Sequence, residues 1–211
     1  MALAALAGRA VRCSRHTAVC RTLGQERSAI SSHGHGQVGE DAGTQLPAVV
    51  ERPDFLASMG AFPTGVTVVT TLDADDNPVG LTCNAFASVS AEPPLVLVSL
   101  DRTSNTLPAL RQRGRFVINF LAAGREEMAT RCAGKAHDKF VPIPWEPTFH
   151  GLPVLREDSI AHVSCDVVEE VEAGDHILFI GHVFEARPPD PDAVPLLYFR
   201  RTFDRWPVVG S

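Results

Sequence analysis

The stretch GLTCNAFASVSAEPP, residues 80–94, determines how the rest of the chain is interpreted. Successive side chains of a strand point to opposite faces, so every second residue shares a face. Polar side chains fall on one face of this stretch and small or apolar ones on the other: Thr82, Asn84, Ser88 and Ser90 against Leu81, Cys83, Ala85, Ala87 and Val89. We therefore predict one extended strand over 79–90, whose polar face either lines a binding site or faces solvent.

The neighbouring segments carry the same strand signal. GVTVVTTL (65–72) is β-branched, and turn residues at 73–78 separate it from the 79–90 run, which predicts two adjacent strands joined by a tight loop. Further strands are predicted over 95–100, 115–120, 160–171, 176–186 and 196–200. Six or seven strands with single inserted helices predict a mainly β fold, an antiparallel barrel, rather than a doubly wound parallel sheet.

Three short helices are predicted between the strands. Phe55, Leu56 and Met59 share one face at helical spacing, which predicts an amphipathic helix at the start of the domain. After the 95–100 strand, Ser104 or Asn105 is expected to cap a helix that ends at Gly114. Another helix is predicted over 125–132.

Composition limits the class of protein. The 211 residues suit one domain, and 45% hydrophobic residues with 21% charged residues and a net charge of -6 are typical of a soluble globular protein, not of a nucleic-acid binder. No apolar run approaches the roughly 20 residues that cross a bilayer, so no membrane partner is expected. The five cysteines are scattered without a C-x-x-C pair, which favours a reducing compartment, the cytoplasm.

Residues 1–50 differ from the rest, and we predict domain boundaries of 1–50 and 51–211. The opening stretch holds five arginines, Arg9, Arg12, Arg15, Arg21 and Arg27, against one acid, Glu26. That composition fits a transit peptide, which would direct the protein to an organelle matrix, and equally a disordered extension or a start codon placed too early. Residues 31–44 are Gly-rich with almost no apolar side chains, as in a linker. We expect residues 1–50 to be dispensable for activity.

The sequence contains none of the common short catalytic motifs. It contains no G-x-S-x-G elbow, H-E-x-x-H motif, P-loop or G-x-G-x-x-G fingerprint. His33 and His35 have only Glu40 and Asp41 as nearby ligands, so a flexible linker is a better interpretation than a metal site. Chemistry that needs a nucleophilic triad or a bound metal is therefore not indicated.

Several blocks in order resemble one known family. These are FPTGVTVV (62–69), GLTCNAFASVSAEPP (80–94) followed by LVLVSL, AGDHILFIG (173–181) and PLLYF (195–199). Over residues 55–200 the sequence resembles the flavin-reductase-like family. The resemblance implies a split β-barrel homodimer that binds FMN or FAD near its subunit interface. It also implies flavin reduction by NADH or NADPH, with reduced flavin supplied to a partner monooxygenase.

The resemblance and the residue chemistry together predict the site. The predicted cofactor-binding residues are Pro63, Thr64, Gly65, Val66, Leu81, Thr82, Cys83, Asn84, Ala85, Ser88, Val89, Ser99, Arg102, Ser104, Asn105, Thr106, His176 and Tyr198. The rigid bend at 63–65 lets backbone approach a ring system, and the polar face of the 79–90 strand supplies hydrogen-bonding groups. The cationic and hydroxyl cluster after residue 101 suits a phosphate, although ordinary helix capping looks the same.

His176 is the predicted catalytic residue, since the resemblance places it beside flavin and nicotinamide. Its alternative is a structural role, in which it only closes a turn with Asp175. Two other functions stay open. One is a flavoprotein with tightly held FMN that oxidises an organic substrate, and the other is a non-enzymatic flavin-binding redox protein. The choices between FMN and FAD and between NADH and NADPH also stay open.

Overall fold

An antiparallel sheet of seven strands forms the body of the computed structural model, which describes residues 50–136 and 139–205. The elements are α1 (Arg52–Gly60), β1 (Thr64–Gly65), β2 (Thr67–Leu72), β3 (Pro78–Cys83), β4 (Phe86–Ala91), β5 (Pro94–Asp101), α2 (Leu107–Arg113), β6 (Arg115–Leu121), α3 (Glu126–Ala133), β7 (Glu146–Pro147), β8 (Pro153–Val154), β9 (Ser159–Ala173), β10 (His176–Arg187), β11 (Leu196–Phe199) and β12 (Thr202–Arg205). The sheet order is β3-β2-β6-β9-β10-β5-β4, and β1, β11 and β12 form a smaller sheet. The mainly β prediction is confirmed.

The two edge strands of the large sheet are consecutive in the chain. Only Asn84 and Ala85 separate β3 from β4, so the sheet curls until its opposite edges meet at this link. At the link, the carbonyl of Ala85 accepts a hydrogen bond from the backbone N–H of Ser99 (3.0 Å). Within the described residues no ladder joins β3 to β4, so the barrel is split.

The predicted single strand over 79–90 is therefore wrong. The chain leaves its pairing with β2 after Cys83 and resumes pairing with β5 at Phe86. The alternation of the sequence continues across this break, which is why alternation alone does not detect it. The predicted strand 65–72 is likewise divided, because Gly65 pairs with β11 whereas Thr67–Leu72 pairs with β3 and β6.

The core lies inside the curled sheet. Its largest fully buried side chains include Phe116, Phe179, Leu100 and Ile118, and helix α2 adds Leu107 and Leu110. Burying each such side chain contributes about 1.5–3 kcal/mol. A second cluster, which includes Val68, Leu121, Ala129 and Leu196, packs α3 and the small sheet against β2 and β6. This second cluster holds α3 beside β3, where the candidate site lies.

Asn119 is one of four described polar residues that are fully buried in this apolar frame, with Thr70, Thr71 and Ser164. Asn119 on β6 donates from Nδ2 to the carbonyl of Val68 (3.1 Å) and to Oγ1 of Thr70 (3.0 Å). Its Oδ1 accepts from the backbone N–H of Leu155 (2.9 Å), and Oγ1 of Thr70 donates to the carbonyl of Pro153 (2.6 Å). The 153–155 segment is thereby tied to the sheet by hydrogen bonds that water does not reach.

The helices differ from prediction in detail. Helix α1 exists, but none of its residues is buried, and Phe55, Leu56 and Met59 are exposed. Helix α2 ends at Gly114 (φ 63°) as predicted, yet it begins after Thr106, so the expectation that Ser104 or Asn105 is its N-cap is wrong. Ser104 instead accepts a hydrogen bond from the backbone N–H of Thr106 (3.3 Å). Helix α3 lies one residue beyond its predicted bounds.

Some sequence-based expectations lie outside the described residues. These concern the arginine-rich opening and the pair His33 and His35. The three cysteines of the described part, Cys83, Cys132 and Cys165, are free and buried. Among the described helices none is long and apolar enough to span a bilayer.

Candidate functional site

A cleft opens between strand β3 and helix α3, and we call it the β3–α3 cleft. It consists of two adjoining cavities of about 210 Å³ each, which share Thr82 and Ala133 in their walls. The first cavity is also lined by Val66, Asn84, Ala129, Tyr198 and Phe203. The second is also lined by Leu81, Asp101, Thr103, Ser104, Asn105, Cys132, Gly134, Lys135 and Lys139.

The first cavity combines aromatic and hydrogen-bonding groups. Tyr198 and Phe203 face each other across the β11–β12 hairpin with ring centroids 5.2 Å apart. Thr82 donates from Oγ1 to the carbonyl of Ala129 (2.5 Å), which ties α3 to β3. Asn84 is exposed, and its Nδ2 donates to Oγ1 of Thr64 (3.3 Å), which leaves its carbonyl oxygen available. Such a wall fits a flat, polar-edged ring system.

The second cavity is polar and partly cationic. Asn105 donates from Nδ2 to the carbonyl of Lys135 (2.9 Å), and Lys139 Nζ donates to the carbonyls of Cys132 (2.8 Å) and Gly134 (2.9 Å). Burial lowers the pKa of Lys139. Hydroxyl, amide and ammonium groups around one cavity provide the donors that a phosphate requires.

Asp101 adds a carboxylate at the same end of the cleft. It accepts hydrogen bonds from the backbone N–H (2.6 Å) and the hydroxyl (2.8 Å) of Thr103. These bonds lower the pKa of Asp101, first through the backbone N–H and then through the hydroxyl, with smaller contributions from His176 and Lys135. The carboxylate is thus held by hydrogen bonds to Thr103 in the loop after β5.

Comparison with known proteins identifies the family. Residues 59–207 match the sequence profile of the flavin reductase like domain. The chain belongs to this family. Similar proteins include the flavin reductase (NADH) of Kitasatospora aureofaciens, which is 47% identical over 163 residues, 77% of this chain and 85% of that protein. The reductase subunit of a flavin-dependent monooxygenase from Mycobacterium tuberculosis is 36% identical over 74% of this chain and 82% of its own length.

A solved relative has the same fold. The NADH:FAD oxidoreductase of Streptomyces globisporus, solved in complex with NAD and FAD fragments, superposes with a TM-score of 0.70 at 32% identity. The match covers 76% of this chain and 96% of that one. The family predicted from the quoted sequence blocks is therefore confirmed.

The flavin-reductase-like domain brings part of the predicted site together. Seven predicted residues line the β3–α3 cleft, namely Val66, Leu81, Thr82, Asn84, Ser104, Asn105 and Tyr198, and Thr64 accepts a hydrogen bond from Asn84 at its edge. Ten do not line it: Pro63, Gly65, Cys83, Ala85, Ser88, Val89, Ser99, Arg102, Thr106 and His176. Their roles stay predictions.

For three of these ten, the structure shows why the side chain does not enter the cleft. Cys83 lies in the core, where burial raises the pKa of its thiol, and Thr106 is also buried. Only backbone groups of these two residues are left for a ligand. Arg102 turns instead to the β9–β10 hairpin, where it donates to the carbonyl of Gly174 (2.9 Å) and pairs with Glu172 (3.0 Å).

His176 begins strand β10, next to the cleft. Its Nδ1 lies 2.7 Å from Oδ1 of Asp175, and the hydrogen bond lowers the pKa of Asp175. Across the sheet His176 is paired with Asp101, which lines the second cavity. The structure thus gives His176 a turn partner in Asp175 and a position one strand from the cleft, and its catalytic role stays a prediction.

Sequence reasoning missed several wall residues. Ala129 and Ala133 are spaced by four on α3, so both fall on the helix face that lines the cleft. Two small residues at that spacing are a signal for close approach, but without the tertiary structure they resemble ordinary helix formers. Phe203 lies just beyond the last block that resembles the family, residues 195–199, and no local pattern marks it as a wall residue.

Proposed function

We propose that the protein catalyses NADH- or NADPH-dependent reduction of FMN or FAD, with hydride passed to flavin N5, and that it supplies reduced flavin to a partner monooxygenase. One observation carries the proposal. In the β3–α3 cleft of this flavin-reductase-like domain, the aromatic and amide wall of the first cavity lies next to the second cavity, whose hydrogen-bond donors suit a phosphate. The names of the similar reductases support the same activity.

The residues of the cleft fit a flavin by their chemistry. Tyr198 and Val66 supply flat apolar surface, while Asn84 supplies an amide for the polar ring edge. Lys135 and Ser104 supply a cation and a hydroxyl for a phosphate. Flavin supplies the redox chemistry when bound, so the chain is left with binding, orientation and the stabilisation of negative charge on the ring.

A steady-state assay tests the proposal. Purified protein is given FMN or FAD with NADH or NADPH, and nucleotide oxidation is followed without any third compound. We expect turnover in at least one combination, with saturation in flavin because flavin is a substrate. Nucleotide oxidation that requires an added organic substrate, with flavin retained through gel filtration, would instead support the flavoprotein alternative. Flavin binding without turnover would support the non-enzymatic one.

Asn84 is the first residue to test. Replacing it with leucine removes the cleft amide, and the dissociation constant for flavin is expected to rise roughly two- to tenfold, the value of one lost hydrogen bond. A fluorescence titration measures the change. Asn77→Leu makes the same substitution in the exposed β2–β3 turn and should leave the constant unchanged. Equal constants for Asn84→Leu and wild type would remove Asn84 from the site. Ser88→Val in the same titration tests the predicted contact of Ser88.

His176 is the second residue to test. In His176→Ala we expect flavin reduction to slow, or the nicotinamide KM to rise, by roughly two- to tenfold, with flavin affinity changed less than in Asn84→Leu. Asp175→Asn keeps the imidazole but weakens its turn partner. If both variants lose only thermal stability and turn over at the wild-type rate, His176 merely closes the turn.

The assembly and location follow as further proposals. We infer a homodimer, supported by exposed apolar side chains on the sheet, Val89, Val168 and Val171. Light scattering on the purified protein tests this state. The free buried cysteines of the described part support a cytoplasmic, reducing location. A chain that starts near residue 49 is expected to reduce flavin like the full chain, which would support the boundary at residue 50.

A further inference from the structure

A larger groove lies apart from the β3–α3 cleft, between helix α1 and the turn of the β11–β12 hairpin. Its volume is about 730 Å³, within the range of roughly 300–1,000 Å³ typical of small-molecule sites. Pro53, Leu56 and Ala57 contribute apolar surface to it. Ala61 adds a further apolar side chain, and the charged side chains of the groove are three arginines, Arg52, Arg200 and Arg201. The groove therefore combines apolar surface with a concentration of positive charge.

These arginines have no carboxylate partner in the described part of the chain. Seven other arginines do form ion pairs there: Arg102, Arg111, Arg113, Arg115, Arg125, Arg131 and Arg156. The protein as a whole is acidic, with 25 Asp and Glu against 19 Lys and Arg. Three guanidinium groups around one groove, none of them ion-paired with a described carboxylate, create a local positive potential that attracts an anion.

The two arginines of the hairpin turn have unfavourable backbone angles. Arg200 and Arg201 are the two central residues between the paired Phe199 and Thr202, with φ of 47° and 65°. Such a turn favours Asn-Gly, and side chains like arginine adopt positive φ only with strain. Residues held at unfavourable backbone angles cluster at functional sites. The backbone N–H of Arg200 donates to the carbonyl of Gly60 (3.0 Å), which fixes the turn against α1.

The groove and the cleft adjoin along the β11–β12 hairpin. Tyr198 on β11 lines the first cavity of the β3–α3 cleft, and Arg200 in the turn that follows lines the groove. The Cα atoms of residues two apart lie at most about 7 Å from each other, so one elongated ligand can reach both sites. A dinucleotide has this form, because its diphosphate links a reactive ring to an adenosine.

We propose that the arginine groove binds the adenosine diphosphate moiety of a dinucleotide whose reactive ring lies in the cleft. The guanidinium groups hold the diphosphate, and the apolar surface of α1 accepts the adenine and ribose. The proposal rests on the proposed function, since FAD and NAD(P)H both carry this moiety. The two sources are separated by the experiment.

The test uses ADP-ribose, which contains the moiety but has no redox activity, and the full-length protein. Calorimetry is expected to give a dissociation constant that rises tenfold or more in Arg52→Gln and in the double variant R200N/R201G, because a charged hydrogen bond is lost in each. R187Q/R205Q removes two charges outside the groove and should change the constant less than twofold. R200N/R201G should also melt roughly 2–4 °C higher, since it relieves the strained turn.

Kinetics identify the source of the moiety. A loss of FAD affinity with FMN affinity unchanged assigns the groove to flavin, and a raised KM for NADH or NADPH with flavin affinity unchanged assigns it to the nicotinamide nucleotide. Failure of flavin reduction in wild type, with ADP-ribose binding lost in the variants, would overturn the proposed function but keep the groove. Equal ADP-ribose binding in wild type and R200N/R201G, or none in an active wild type, would overturn the groove.

Discussion

Replacing Asn119 with alanine is expected to lower the free energy of unfolding by about 3 kcal/mol, because buried partners lose their hydrogen bonds and a cavity remains. The affected groups are the carbonyl of Val68, the hydroxyl of Thr70 and the backbone N–H of Leu155, all within 3.1 Å of the amide. Urea unfolding followed by circular dichroism measures the loss, which should appear as a lower midpoint at an unchanged slope.

Asn77→Ala provides the matched control for Asn119. Asn77 is exposed in the β2–β3 turn and its side-chain amide donates only a long bond of 3.4 Å to Asp73, so loss of that amide should cost below about 1 kcal/mol. Thr70→Val combined with Asn119→Ala should cost less than the sum of the two single changes, because both remove parts of one network. Strict additivity, or a loss no larger than in Asn77→Ala, would show that the network contributes little.

Gly80→Ala is expected to destabilise the fold by about 1–3 kcal/mol through overpacking. A Cβ at Gly80 would lie 2.5 Å from the carbonyl oxygen of Val69 and 2.8 Å from Cζ of Phe140. The first of these atoms is backbone, so β2 and β3 cannot keep their present pairing. Thermal unfolding measures the loss, and a flavin titration should show weaker binding, since β3 carries Thr82 into the cleft.

Gly60→Ala is the control for this substitution. An added Cβ at Gly60 meets nothing within 4 Å, and alanine favours the helix in which the residue lies. Its melting temperature should equal or exceed that of wild type. A Gly80→Ala protein as stable as Gly60→Ala would mean that the loop bearing Phe140 and the strand β2 yield without cost.

Local patterns predicted the strands well and the site in part. Strand β2 lies within the β-branched run 65–72, and β9 contains the alternating run 160–171. Both were predictable because period and propensity are properties of neighbouring residues. The break at Asn84 was missed because its cause lies elsewhere in the chain. Strand β5 offers the second half a different partner, and alternation does not register a change of partner.

The cleft shows the same division between local and distant causes. Thr82 and Asn84 were predicted from their shared face, and both line the first cavity. The arginine groove was not predicted, since Arg52 and Arg200 are far apart in sequence and meet only when α1 contacts the hairpin turn. Likewise the buried role of Asn119 within the mostly apolar run 115–120 was not predicted, because its hydrogen-bond partners lie on β2 and at Leu155.

The strand order also governs how the chain assembles during synthesis. Strands β9 and β10 lie between β6 and β5, although the chain makes them after both. A nascent chain that ends before Ser159 holds two separate sheets, β3-β2-β6 and β5-β4, each with an open edge. We expect those edges to be prone to pair with other chains until Arg187 has left the ribosome, because unpaired strand edges of partly folded chains favour aggregation.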